Sequence, residues 1–279
     1  MDKKQRLMTV LRQQEPDRIP WVIYPLMVIL GASEREFRNR GLSFYLPRPL
    51  HRLRRSNVEI IDTVKIDEKN QLQNITRRYA TPKGDLVGVY RMPYEAAPQT
   101  FEEAGLWHPS PIPGEGIWTI EYPFKKRSDY RVLEFIIEDS TYEEDYDRFT
   151  EASNFLGEEG IVMAGMGKSP FQSIIYDWMG HVRCFTEWND HPQEFNRLYE
   201  IMFERQRELY QIASNSPAEI VWEGENVTGI LTSPWFFEKF CVPFYNEMAE
   251  VIHQKGKIYG AHLDGHLRCL KGLIAKTKL

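Results

Sequence analysis

From residue 129 onward the chain alternates short apolar runs with longer amphipathic ones, and this limits the fold more than any other feature of its 279 residues. GIVMAGM (160–166), EIVWEGE (219–225) and KIYGAHLDG (257–265) have the length and apolar content of buried strands. The segments between them read as helices. SPFQSIIYDWMG (169–180) opens with Ser169 as a helix N-cap and Pro170 at the first helical position. After Pro192, Phe195, Leu198, Tyr199, Met202, Arg205 and Leu209 recur at three- and four-residue steps, which places them on one helical face. SPWFFEKFCVPFYNEMAEVIHQKG (233–256) is a capped helix with Gly256 as its C-cap. Such alternation predicts βαβ units and a parallel sheet, since parallel neighbours need a crossover between them. The units either close as a barrel or stay open as a doubly wound sheet. No GxGxxG follows a strand and GMGKSP (165–170) lacks P-loop spacing, so no motif supports a nucleotide-binding sheet.

The N-terminal half has a different texture. Leu7, Val10 and Leu11 share one face of a helix over residues 3–14, which Pro16 and Pro20 of EPDRIP terminate. The run Trp21 to Leu30 is expected to be the first buried strand. Val58 to Arg91 is β-rich, with Tyr79 and Leu86 flanking the turn Thr81 to Asp85, and predicts an antiparallel hairpin. Recurring prolines predict an irregular, exposed course over residues 92–120. This part is expected to be an insertion in a single domain spanning residues 1–279.

A net charge of -5 gives no long-range attraction to nucleic acid or anionic membrane, which leaves a small molecule as the expected partner. The basic group Arg48, Arg52, Arg54 and Arg55 is expected to be a solvated helix face. No apolar run reaches the roughly 18 residues of a membrane span. The N-terminus lacks the apolar core of a secretory signal. Three widely spaced cysteines fit a reducing compartment, so a cytoplasmic protein is expected; a homo-oligomer is left open, since the sequence does not name the oligomeric state.

In parallel β/α folds the reactive groups lie at the C-terminal ends of the strands. Two runs end in polar residues there: Glu223, Glu225 and Asn226 in one, His262, Asp264 and His266 in the other. A period of two puts Glu223 with Glu225, and His262 with Asp264, so each pair is expected to face one cleft. Carboxylates beside an imidazole either bind a divalent metal or transfer protons. The plainer reading is that the His-x-Asp pair caps the next helix and that the glutamates lie in a solvated loop. Cys241, between Phe240 and Phe244, is expected to be buried and inert, and the nearby aromatic stripe to be core.

EPDRIP, the TPKGDL hairpin, DHPQEF before a long helix, GENVTGILTSPWFFEKF and HLDG, in this order, resemble the uroporphyrinogen decarboxylase superfamily. The likeness is closer to its cobamide-dependent methyltransferase branch, because WVIYPLMVILGASEREF lacks the arginine-rich segment of the true decarboxylases. The resemblance implies a TIM-type (β/α)8 barrel, here short of its last two strand–helix units. It also implies methyl transfer from methylcobalamin carried by a corrinoid protein. It implies a zinc site as well, with His262 as ligand and Asp264 standing where relatives carry cysteine. A harder carboxylate ligand would suit an oxygen-bearing substrate or another metal. Under this reading Glu223, Glu225 and Asp264 are catalytic, His262 and Asp264 hold the metal, and Asn226 and His266 touch substrate. The rival expectations are decarboxylation of a small acid without metal, and a non-catalytic binding protein.

Overall fold

A computed structural model describes residues 1–23, 31–70, 72–93 and 118–279. Its centre is a five-stranded sheet in the order β1 (Trp21–Ile23), β2 (Leu42–Arg48), β9 (Gly160–Gly165), β10 (Ile220–Glu223), β11 (Ile258–Ala261). Every pairing in it is parallel. The βαβ expectation therefore holds, while the parallel strands among the described residues number five and do not make a full eight-stranded barrel. Only the first three residues of the run 21–30 are described; they are strand β1, but Trp21 and Val22 are exposed and not buried as expected.

The long crossover into β10 includes the helix Pro192–Asn215. Its buried side chains Phe195, Leu198, Tyr199, Met202, Phe203, Leu209, Tyr210 and Ala213 follow the three- and four-residue steps of the sequence. Each large apolar side chain so enclosed contributes on the order of 2 kcal/mol. The helix stops where Ser216 turns extended, ahead of Pro217. The Ser216 hydroxyl donates to the Ala213 carbonyl at 2.7 Å, and Lys257 Nζ adds a second donor to it at 3.1 Å and also reaches the Ser216 carbonyl. The crossover into β11 carries the helix Val242–His253, which buries Phe244, Tyr245, Met248, Ala249 and Ile252.

The sheet is apolar on both faces. Ile161, Met163 and Ile220, with Tyr45, Trp222 and Ile258, pack on one side against Leu7 and Met8 of the first helix, Lys3–Leu11. Val221 and Tyr259 take the other side, under the crossover helices. This alternation decides where each polar strand-tip residue points.

The predicted hairpin is the centre of a larger antiparallel sheet, β4 (Glu59–Asp67), β5 (Leu72–Thr81), β6 (Gly84–Pro93) and β7 (Trp118–Glu121). The irregular course expected for 92–120 lies almost wholly outside the described residues. The arginine cluster is not a helix face: Arg52, Arg54 and Arg55 lie on β3 (His51–Arg55), paired antiparallel with β8 (Ser140–Glu144). Arg52 bonds Asp145 at 2.6 Å and Arg54 bonds Glu143 at 2.7 Å, so acids on the facing segment stabilise this run as a strand. No helix among the described residues is long and apolar enough to cross a membrane.

Candidate functional site at the β10 and β11 tips

Strand β10 ends at Glu223 and β11 at Ala261, so Glu225, His262, Asp264 and His266 all lie in the loops beyond their strands. The loops are tied together. The His262 N–H donates to the Glu223 carbonyl at 2.9 Å, Gly265 to Val227 at 3.0 Å, and Gly229 to His266 at 2.9 Å. The His266 N–H also reaches Thr228 Oγ1 at 3.1 Å. Gly265 permits this closeness: a Cβ there would lie 2.3 Å from the Thr228 Cβ and 2.5 Å from the Val227 carbonyl oxygen.

The two glutamates do not open into a cleft with His262 and Asp264, as the period of two had suggested. Glu223 shares a parity with Val221 and points into the helix layer, where it has no solvent exposure. The Tyr210 hydroxyl, on the helix Pro192–Asn215, donates to its Oε1, and Tyr259 extends the chain, its hydroxyl 3.0 Å from that of Tyr210. Glu225 is equally enclosed. Its Oε1 accepts from the Tyr245 hydroxyl at 3.0 Å and from the Ser169 N–H at 3.2 Å. Ser169 therefore differs from the expected side-chain cap: its hydroxyl caps nothing, and its backbone N–H at the helix start is met by a carboxyl from another strand.

Burial is the main cause that raises both carboxyls. It pushes Glu225 up to about 7, against the pull of Ser169, Tyr245 and the Lys168 charge. Glu223 is raised well above the usual range by burial and then by the neighbouring Glu225. Both are proton-holding groups set behind the strand tips.

His262 is on the outer side. Its ring is tilted against Trp222, with centroids 6.0 Å apart, and its Nδ1 lies 3.1 Å from the Glu225 carbonyl oxygen. A carbonyl only accepts, so this bond places the ring proton on Nδ1 and leaves the Nε2 lone pair as the reactive atom. Asp264, His266 and Asn226 are exposed around it. The Asn226 carbonyl accepts from Tyr176 at 2.8 Å, and the Tyr176 phenol is raised by burial and by the Asp264 charge. Lys168 pairs with Asp177 at 2.8 Å, beside Ser173.

Among the described residues, no three or more His, Cys, Asp or Glu side chains gather in a way that would hold a metal ion. His262 and Asp264 thus do not by themselves make up the zinc ligand set that the resemblance implies. Cys241 is buried, its thiol pushed well up by burial, in keeping with an inert role.

Sequence reasoning missed Tyr210, Tyr245, Tyr259, Ser169 and Gln172. Two acids ending an apolar strand were the usable signal, because buried carboxyls require donors and the tyrosines of the flanking elements supply them. Two wide π turns, Ile174–Met179 and Phe237–Cys241, follow the helix starts beside this cluster and have no signature in the apolar spacing.

No family model matches the sequence, and no curated protein matches it. Among solved structures, a methyltransferase from Methanosarcina mazei is similar at a TM-score of 0.49 and 12% identity, over 99% of this chain and 73% of that one.

Proposed function

We propose that the chain is an enzyme that transfers a methyl group to or from a small substrate at the tips of β10 and β11, with His262 Nε2 as the group that handles the substrate proton. The observation that carries this reading is the Nδ1 bond of His262 to the Glu225 carbonyl. It fixes the tautomer and leaves the lone pair on Nε2 of an exposed imidazole, which is what a general base requires. The partner is a corrinoid protein, as the sequence resemblance implies, and its cofactor supplies or receives the methyl group. His262 takes the proton of the accepting thiol or hydroxyl as the new bond to carbon forms, and Trp222 and the tied loops hold the imidazole in place. Asp264, facing Tyr176, is the nearby charge that orients a polar substrate. No step is assigned to zinc.

The test is methyl transfer between methylcobalamin and a panel of small thiols and phenols, with the wild-type chain and with His262→Ala. Turnover that falls in the variant while metal analysis shows no bound zinc supports the reading. Turnover equal in both proteins removes His262 from the chemistry.

A second reading, decarboxylation of a small acid, draws on the buried carboxyls, which retain protons near neutral pH. Release of carbon dioxide without methyl transfer favours it.

A further inference from the structure

The antiparallel sheet has two edges of opposite character. β7 is four residues long, and its register with β6 shifts between Val89 and Tyr90. β4 runs for nine residues, Glu59–Asp67, in unbroken register with β5, and it holds no proline. Among the described residues no strand pairs with its outer side. Short strands, bulges and prolines are usual protections of a sheet edge, and β4 has none of the three. Alternate residues along it turn their N–H and C=O groups away from β5.

The side chains of β4 add an apolar row to this open edge. Directly opposite residues share a face, so Ile60, Val64 and Ile66 lie on the face of Tyr79 and Leu86. Tyr79 and Leu86 join the main core, whereas at β4 the same face is bare: Ile60, Val64 and Ile66 are 46%, 52% and 46% exposed.

The charges of the strand say what covers it. Asp62 holds Arg77 through both oxygens, at 2.8 and 2.7 Å, and Asp67 holds Asn70 at 2.8 Å. Glu59 and Lys65, exposed on the other face, have no ion pair among the described residues. An antiparallel copy of β4 centred on Asp62 sets Glu59 opposite Lys65 of the partner subunit, and the two-fold axis repeats the pair. The same register sets Ile60 opposite Val64 of the partner subunit and Val58 opposite Ile66 of the partner subunit, so the two apolar rows become one strip. The Asp62 carboxylates meet at the axis, each already neutralised by its own Arg77. The neighbouring registers lose the match: one sets Glu59 against Asp67 of the partner subunit, the other sets Ile60 against Asp62 of the partner subunit.

We propose that β4 is the interface of a symmetric dimer, in which two copies of this chain pair antiparallel about Asp62 and join their antiparallel sheets into one. Main-chain hydrogen bonds supply the association, and the Ile60–Val64 pairs withdraw apolar surface from water. The Glu59–Lys65 pairs fix the register. This inference does not depend on the methyl-transfer reading, because β4 belongs to a different sheet from the β10 and β11 tips.

The experiment is sedimentation equilibrium of the full chain from micromolar to near-millimolar concentration. The expected result is a mass that rises with concentration from 32.9 kDa toward twice that value. Glu59→Lys alone and Lys65→Glu alone each set like charges face to face at both ends of the pairing, and each should weaken association by about tenfold at low salt. The double variant, Glu59→Lys with Lys65→Glu, exchanges the partners and should restore it. Both side chains are exposed, so the circular dichroism of all three variants should match wild type. A chain that stays at 32.9 kDa throughout, or a dimer that the wild type and all three variants form equally, would overturn the proposal. Single variants that weaken association without rescue in the double variant would overturn it as well, because the two residues would then not face each other.

Discussion

The Nδ1 of His262 lies 3.1 Å from the carbonyl oxygen of Glu225, so the residue that presents the imidazole is the one whose side chain is buried behind it. Main chain and side chain of Glu225 thus serve opposite faces of the tip. The carboxyl is anchored by Tyr245 and Ser169, and the carbonyl fixes the tautomer of the histidine.

Replacing His262 by Ala should lower turnover by about a hundredfold to ten-thousandfold, the usual contribution of a positioned general base. The imidazole is exposed and fills no core space, so the far-ultraviolet circular dichroism should match wild type. A variant as active as wild type would show that the tip is not the reacting site.

Stability should depend on pH through Glu225. Its folded pKa is raised to about 7 from an ordinary 4.5, so the stability it confers is complete below 4.5 and is lost as pH rises through about 7. The sign follows because the unfolded chain releases this proton first, binding fewer protons than the folded one across the window. Urea midpoints should therefore fall between those two pH values, and Glu225→Gln should flatten the fall. A midpoint that rises with pH across the window would contradict the burial of an uncompensated carboxyl.

Gly265→Ala should separate the two tips. The added Cβ meets Thr228 and the Val227 carbonyl at 2.3 and 2.5 Å, and backbone cannot rotate away as a side chain can. A loss of about 1–3 kcal/mol is expected in denaturant unfolding, with a fall in turnover as His262 shifts. An unchanged midpoint would mean that the loops are not tied as described.

Lys257→Met should destabilise the chain without touching the site. The ammonium satisfies carbonyls at the end of the helix Pro192–Asn215, and its loss should cost about 1–2 kcal/mol. Calorimetry should show this with turnover retained. A variant as stable as wild type would mean that water replaces the lysine.

Much of the β/α part was legible because burial on a helix or strand leaves a period in the sequence. Phe195, Leu198, Tyr199 and Met202 announced the long helix, and the runs around Ile161, Val221 and Tyr259 announced the parallel strands. The arginines of β3 misled, since their strand is specified by acids in β8, and pairing between distant segments has no local signature.

The sequence by itself determined that polar residues would interrupt two apolar strands at their ends, so Glu223, Glu225, His262 and Asp264 were identifiable as candidates. Only the tertiary structure decided that they part company. The carboxyls of Glu223 and Glu225 turn into the helix layer toward Tyr210 and Tyr245, while His262 stays outside beside Trp222. The physical reason is that a period of two states which residues share a face but not which face meets solvent. That is settled by the elements packed on each side: the helix Lys3–Leu11 on one and the crossover helices on the other.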